Sequence, residues 1–175
     1  MSRQIYKLRT LLESDWRDVA RIYREGIQSG HATFETEVPS WERWDASHLT
    51  FARLVLTVEE TVEGWAALSK VSARQVYSGV AEVSVYVASK SQGHGFGHAL
   101  LEALINKSES NGIWTLQASI FPENGASIRL HQKCGFREVG RRERIAQLGG
   151  VWRDTVLLER RSAIAGKQAK ELISN

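Results

Sequence analysis

A strand pattern that runs into a glycine-rich turn and then into a helix constrains this chain more than any other feature. Residues 80–87 have the period of two that is typical of a strand, and Gln92-Gly-His-Gly-Phe-Gly97 precedes a helical pattern. Such a turn directs several backbone N–H groups at one point, which suits an anion and above all a phosphate. The pattern therefore predicts a pyrophosphate site. A turn selected only for tight packing is the alternative.

Two common phosphate-binding motifs do not fit this turn. The dinucleotide fingerprint G-x-G-x-x-G needs glycine at position 98, where this chain has His98. The sequence also lacks the G-K-[ST] tripeptide of a P-loop. A pyrophosphate held in some other manner is the remaining expectation.

The strand before the turn has two different faces. Alternation places Ala81, Val83, Val85 and Val87 on an apolar face, and Val80, Glu82, Ser84 and Tyr86 on the face that carries polar groups. A carboxylate at mid-strand, close to an anion site, can accept a proton from an attacking amine. The alternatives are that Glu82 is simply solvated or that it forms an ion pair with Arg74.

A second block, Phe121–Phe136, places polar residues where a strand ends and a helix begins. Asn124 can cap that helix or bind amide groups of a ligand. His131 lies two helical turns later on the same side, where it can donate a proton to a departing group or simply pack. Cys134 is expected to be a core residue at the helix end, because no activating His-Asp pair accompanies it.

Length and composition favour one globular domain and limit its partners. The chain has 175 residues, 42% of them hydrophobic, and a net charge of +3. One cysteine excludes an intramolecular disulfide framework, and no Cys/His cluster predicts a metal site. No signal peptide or membrane span is evident, and no basic stripe interleaved with aromatic residues predicts nucleic-acid binding. We expect a cytoplasmic protein.

The predicted order of elements is β-α-α-β-β-β-α-β-α-β-β, an α/β sheet that mixes antiparallel and parallel pairs. The predicted strands are residues 3–10, 54–58, 65–72, 80–88, 113–120, 136–146 and 151–159. The predicted helices cover 16–27, a segment after Ser40 that carries Trp41, Trp44 and Phe51, 97–111 and 125–134. Three consecutive strands with short links indicate an antiparallel meander.

These motifs together resemble the GCN5-related N-acetyltransferases. Gln92-Gly-His-Gly-Phe-Gly97 is similar to the family's (Arg/Gln)-x-x-Gly-x-(Gly/Ala) loop, and Asn124-x-x-Ser127-x-x-Leu130-x-x-x-x-Gly135-Phe136 to its second block. Glu82-Val-Ser-Val-Tyr-Val87 resembles a strand of its phosphinothricin and methionine sulfoximine acetyltransferase group. The resemblance implies a mixed, mostly antiparallel sheet of about seven strands flanked by about four helices. It implies one domain over residues 1–160, and 161–175 are expected to form a basic, flexible tail.

The resemblance also implies roles for individual residues. Glu82 would be the general base and His131 a second catalytic residue. Acetyl-CoA would be bound by Val85, Tyr86, Val87, Gln92, Gly93, His94, Gly95, Phe96, Gly97, His98, Asn124 and Ser127. The acceptor would be bound by Phe34, Glu35, Arg74, Tyr77, Glu82 and Ser84. His94 stands where the family often has lysine, so a fixed positive charge is lost there.

The function that the resemblance implies is direct transfer of an acetyl group from acetyl-CoA to the amine of a small amino-acid-like acceptor. Phosphinothricin, methionine sulfoximine, methionine sulfone and related amino acids are the candidate acceptors. Acetylation of a protein or peptide N-terminus and a non-catalytic CoA-binding sensor are the alternatives. The resemblance further implies a homodimer, and we expect no metal, nucleic-acid or membrane partner.

Overall fold

A computed structural model describes residues 5–166 of the chain. The strands are β1 (Lys7–Thr10), β2 (His48–Val58), β3 (Thr61–Lys70), β4 (Val80–Val87), β5 (Thr115–Ile120), β6 (Arg137–Leu148) and β7 (Val151–Arg161). The α-helices are α1 (Trp16–Gln28), α2 (Trp41–Ser47), α3 (Phe96–Ser110) and α4 (Gly125–Lys133). Within this part of the chain, no helix is long and apolar enough to cross a membrane.

All seven strands form one sheet in the order β1-β2-β3-β4-β5-β7-β6. Every neighbouring pair is antiparallel except β4 and β5, which are parallel. The predicted fold class, element order and antiparallel meander are therefore confirmed. β7 includes Arg161, the first residue of the predicted tail, and residues 167–175 of that tail lie outside the described residues.

Helices cover both faces of the sheet. On one face α3 buries Leu100, Leu101 and Leu104 against the strands. On the other, α1 and α2 pack Val19, Ile22 and Trp44 against β2 and β3. Tyr86 packs into this second cluster, with its ring stacked on Trp65 at 4.6 Å between centroids. The polar face of β4 is thus partly covered by α1, because the phenol ring supplies apolar area as well as a hydroxyl.

The structure corrects the predicted boundary between α2 and β2. Ser40 caps α2 as expected, accepting a hydrogen bond from the Arg43 N–H. The helix ends at Ser47, and the imidazole of His48 bonds to the Trp44 carbonyl. Phe51 was expected on the helix but lies in β2, which begins six residues before the predicted start at Leu54. Short apolar segments fit either period, and pairing with β3 decides this one.

The two parallel strands separate partway along their length. β4 pairs with β5 only from Val80 to Glu82, whereas its pairing with β3 continues to Val87. From Val83 to Val87, one edge of β4 therefore has no strand beside it within residues 5–166. This opens a cleft at the carboxyl ends of two parallel strands, a common position for ligand sites in α/β sheets.

Candidate active site

The glycine turn presents the amino end of α3 without a side-chain cap. Gly93 and Gly95 have φ angles of +82° and +83°, and a Cβ at either position would meet no atom within 4 Å. These two glycines are therefore required by backbone conformation and not by close packing. Gly97 is different, since its Cβ would lie 3.1 Å from Leu130. No side chain within residues 5–166 caps the first N–H groups of α3, which suits these groups to an anion.

A cavity of about 710 Å³ lies between this turn and α4. Nine of the residues predicted to bind the cofactor line this cavity: Val87, Gln92, Gly93, Gly95, Phe96, Gly97, His98, Asn124 and Ser127. Arg129 and Lys133 of α4 also line it and were missed by the sequence reasoning. Their spacing of four residues places both on one side of the helix, and that spacing was the available signal. Two fixed positive charges therefore face the predicted pyrophosphate site.

His94 is absent from the lining of this cavity. Its Nδ1 lies 3.0 Å from the Gln92 carbonyl oxygen, and its ring stacks on Phe96 at 5.8 Å between centroids. The His94 imidazole therefore stabilises the turn through contacts with other residues of the same turn. Arg129 and Lys133 place positive charge on the α4 wall of the same cavity, whereas position 94 carries no lysine.

A buried carboxylate supports the segment that leads into the turn. Glu63 of β3 accepts a hydrogen bond of 2.7 Å from the Ser91 hydroxyl and pairs with Lys90, also at 2.7 Å. Glu25 of α1 accepts a hydrogen bond of 2.7 Å from the Ser89 N–H. Residues 89–91 are therefore held by β3 and α1 together, which fixes where the turn begins.

A second cavity, of about 240 Å³, occupies the cleft between the diverging strands. It brings together most of the predicted chemical groups: Phe34, Glu82, Ser84, Val85, Tyr86, Asn124, Ser127 and His131. A third cavity of about 340 Å³ lies between α1, β4 and α4. Asn124 and Ser127 line all three cavities. The spaces therefore adjoin one another, from the glycine turn to the Glu82 side of the sheet.

Glu82 enters the second cavity with one carboxylate oxygen already bonded. Gln117, its register partner on β5, donates a hydrogen bond of 2.9 Å from Nε2 to Glu82 Oε2. The predicted alternative partner, Arg74, forms no ion pair with Glu82 among the described residues. Gln117 therefore orients the carboxylate and leaves Oε1 for another donor.

His131 is buried, with 4% of its surface exposed. Its Nδ1 lies 2.8 Å from the carbonyl oxygen of Ser127, which can only accept, so Nδ1 carries the hydrogen. Burial lowers the pKa of His131 below its ordinary value, and the hydrogen bond to Ser127 opposes that effect only in part. Nε2 is therefore a lone-pair acceptor, and it is buried without a hydrogen-bond partner among the described residues. The sequence predicts a proton donor here, whereas this tautomer presents an acceptor.

The segment after α1 covers the second cavity. Asn124 caps α4 through Oδ1, which accepts from the Ser127 N–H, and its Nδ2 donates to the His31 carbonyl. The ring of Phe34 meets Phe121 edge-on, 4.7 Å between centroids. The two readings of Asn124, as a cap and as a lining residue of the site, are therefore compatible.

Three predicted acceptor residues lie elsewhere. Arg74 and Tyr77 belong to the turn between β3 and β4, where the guanidinium stacks over the phenol ring at 5.6 Å. Neither residue lines any of the three cavities, because this turn projects into solvent. Glu35 also lies outside their linings, although Phe34 beside it is included.

Comparisons with known proteins identify the family of this chain. A family model described as the acetyltransferase (GNAT) family matches residues 7–136. The phosphinothricin N-acetyltransferase of Alcaligenes faecalis is 31% identical over 167 residues, which cover 91% of this chain and 84% of that protein. The L-methionine sulfoximine/L-methionine sulfone acetyltransferase of Salmonella typhimurium is 33% identical over 152 residues, covering 84% and 89%.

A solved structure of a named acetyltransferase is also similar to this chain. The GNAT superfamily phosphinothricin acetyltransferase from Sinorhizobium meliloti, in complex with AcCoA, matches with a TM-score of 0.82 at 28% identity, covering 95% of this chain and 94% of that chain. The family match spans more than half of the chain, and acetyl-CoA is the cosubstrate. The chain therefore belongs to the acetyltransferase (GNAT) family and is an acetyl-CoA-dependent N-acetyltransferase.

Proposed function

We propose that the protein transfers the acetyl group of acetyl-CoA to the α-amine of a small amino-acid-like acceptor, with Glu82 as the general base. The observation that carries the proposal is the position of Glu82 in a cavity that adjoins the glycine-turn cleft. At about 240 Å³ this cavity is smaller than the 300 Å³ or more that is typical of sites for drug-sized ligands. Relatives named for phosphinothricin and methionine sulfoximine act on acceptors of this size class.

In this proposal, the glycine turn, α4 and the free edge of β4 bind acetyl-CoA, whereas the cavity around Glu82 binds the acceptor. The first N–H groups of α3, with Arg129 and Lys133, hold the pyrophosphate. The free edge of β4 from Val83 to Val87 pairs with the pantetheine arm as an added strand would. The thioester then lies near Asn124 and Ser127, where the cavities adjoin.

Glu82 starts the chemistry by taking a proton from the acceptor's ammonium group, directly or through a water molecule. The freed amine nitrogen forms the C–N bond, backbone N–H groups of the β4 edge stabilise the oxyanion, and the C–S bond breaks. As the C–S bond breaks, the nitrogen loses its second proton to solvent, and the thiolate, with an ordinary thiol pKa of about 8.5, takes a proton from solvent. His131, neutral and with its acceptor nitrogen free, orients a water molecule or the ammonium group.

Direct transfer needs no acyl-enzyme. Cys134 closes α4, is half-buried and lines none of the three cavities. Burial raises the pKa of its thiol, which lowers the thiolate fraction. Cys134 is therefore a structural residue in this proposal.

Release of thiol from acetyl-CoA, followed with a chromogenic thiol reagent, tests the proposal. The acceptor panel contains phosphinothricin, methionine sulfoximine, methionine sulfone, free amino acids and short peptides. We expect saturable turnover with one or more of the amino-acid-like compounds. Turnover with peptides alone would redirect the function to N-terminal acetylation, and acetyl-CoA binding without any turnover would favour a sensor.

We also propose that the protein is a cytoplasmic homodimer. Val151 and Trp152, at the β6–β7 hairpin, are 62% and 55% exposed, and Ile145 on β6 adds a third exposed apolar side chain. Apolar groups gathered at one hairpin favour an interface over free surface. A single cysteine is compatible with a reducing compartment.

A further inference from the structure

A row of polar side chains crosses the sheet on the Glu82 face. Register partners share a face, and so do residues two apart on a strand. Glu82 pairs with Gln117, which lies two residues before Ser119 on β5. Ser119 pairs with Leu157 of β7, two residues after Thr155, and Thr155 pairs with Arg142 of β6. Arg142 therefore faces the same side of the sheet as the proposed base.

The Arg142 side chain extends across β7 to the wall of the second cavity, which contains Glu82 and is called the acceptor cavity from here on. Its Nη2 donates a hydrogen bond of 2.6 Å to the hydroxyl of Ser119, and Ser119 lines the 240 Å³ cavity that contains Glu82. The guanidinium is thereby brought from β6 to β5, the strand next to Glu82. The Ser119 hydroxyl thus holds a cation at the wall of the cavity that contains Glu82.

The hydrogen-bonding capacity of Arg142 is only partly used. Its Nε is buried and has no acceptor, and no carboxylate within residues 5–166 pairs with it. The hydroxyl of Thr155, its register partner, is also buried, with no hydrogen-bond partner in the part of the chain that the structure describes. Arg142 as a whole is half-buried, but an N–H donor that is buried without an acceptor is costly, so an anion from outside the chain would be stabilised beside it.

The neighbouring Arg141 and Arg153 differ from Arg142 because each already forms an ion pair with a carboxylate of the chain. Arg141 points to the opposite face and pairs with Asp154 at 2.6 Å. Arg153 pairs with Glu123, donates to the Gly30 carbonyl and lies over the Phe121 ring. Arg142 thus differs from both: it is bonded to a residue that lines the cavity, and it has no carboxylate partner in the described part of the chain.

We propose that Arg142 binds the α-carboxylate of the acceptor while Glu82 receives its ammonium group. This inference rests on the function proposed above and specifies its acceptor as an α-amino acid. Gln117 is bonded to Glu82 at the proposed ammonium end of the site, and Ser119 is bonded to Arg142 at the proposed carboxylate end. The two residues are two positions apart on β5, about 7 Å along the strand. An α-amino acid with a charge-assisted hydrogen bond of about 2.8 Å at each end spans a distance of this order.

The experiment compares an acceptor with its own carboxamide. The most active amino-acid acceptor of the thiol-release panel and its C-terminal carboxamide are assayed with wild type, Arg142→Gln, Arg142→Lys and Arg141→Gln. Arg141→Gln is the matched control, since it removes the adjacent guanidinium on the opposite face. Thermal melting and acetyl-CoA binding by calorimetry establish that each variant is folded and binds its cosubstrate.

We expect Arg142→Gln to raise the KM for the amino acid about 10- to 100-fold and to leave the KM for the carboxamide within about twofold. Arg142→Lys restores part of the affinity, because it keeps the charge and loses the planar fork. Arg141→Gln behaves as wild type. Wild type itself prefers the carboxylate form by a similar factor.

Two results overturn the inference in distinguishable ways. If wild type acetylates the amino acid and Arg142→Gln has the same KM, Arg142 is not the carboxylate ligand and the proposed function stands. Equal use of the acid and the carboxamide by wild type has the same meaning. If no amino acid is acetylated while acetyl-CoA binds, the proposed function and this inference fail together.

Discussion

The carboxylate of Glu82 reaches the acceptor cavity with one oxygen held by Gln117 and the other free. Replacement by glutamine keeps the shape and removes the proton acceptor. We expect Glu82→Gln to lower kcat/KM by about 10²- to 10⁴-fold, most strongly at low pH, where the acceptor amine is protonated. Acetyl-CoA affinity stays nearly unchanged, because the glycine turn lies apart from this group.

The pH dependence of kcat/KM for acceptor measures this effect. Glu138→Gln, a change on the exposed surface of β6, serves as the control and retains the wild-type profile. A pH–rate profile that Glu82→Gln leaves unaltered would remove Glu82 from the mechanism.

The buried His131 and the partly buried His48 make stability sensitive to acid. Burial lowers the pKa of His48 and of His131 below the ordinary 6.5. Below that value the unfolded chain binds more protons than the folded chain, so the free energy of unfolding decreases as the pH falls. Each histidine contributes a slope of up to about 1.4 kcal/mol per pH unit. The loss ends once the folded-state groups are also protonated.

Urea denaturation at a series of pH values from about 8 down to about 5 tests this prediction around the ordinary histidine range. His131→Asn and His48→Asn each place an amide N–H where Nδ1 donates to a carbonyl, so both variants retain that bond. Each should reduce the acid slope, and the double variant should reduce it most. A slope that neither substitution changes would assign the acid sensitivity to other groups.

At the scale of elements, the glycine turn depends on left-handed backbone at Gly95. Alanine there costs about 1–2 kcal/mol of backbone strain and turns the first N–H groups of α3 away from a common point. We expect Gly95→Ala to weaken acetyl-CoA binding about tenfold, a loss of about 1.4 kcal/mol, in calorimetry.

Gly112 supplies a matched control at the other end of α3. Its φ is +79° and it too has no neighbour within 4 Å of a Cβ, so alanine carries a similar conformational cost far from the site. Gly112→Ala should therefore lower the melting temperature to a similar extent and leave acetyl-CoA affinity unchanged. Equal affinity losses in both variants would show that the effect comes from general destabilisation.

Elements were predictable from the sequence where period and capping residues agree. The strand, turn and helix from Val80 to Ser110 follow local rules and are confirmed as elements, as is the cap by Ser40. Phe51 was misplaced because a short apolar segment has no distinctive period. Arg142 was missed because its side chain meets Ser119 only through the pairing of β6, β7 and β5, which no local pattern contains.

At the scale of the whole molecule, the exposed hairpin leads to a prediction about assembly. If two copies meet at the β6–β7 hairpin, Trp152→Glu places a charge in the apolar contact and should convert a dimer into a monomer in sedimentation velocity. Ile164→Glu changes an even more exposed apolar residue near the other end of β7 and should leave the dimer intact. A wild-type protein that sediments as a monomer would contradict the proposed homodimer.

The strand edge left open by the divergence of β4 and β5 also bears on handling of the purified enzyme. An unpaired edge is a template for another chain, and β4 offers Val83–Val87 without a covering strand. Acetyl-CoA paired along that edge would occupy the template. Saturating acetyl-CoA should therefore suppress light scattering on storage. It should also raise the melting temperature, because a ligand at one hundred times its Kd adds about 2.7 kcal/mol to the free energy of unfolding. The enzyme's own substrate would then act as its solubility factor.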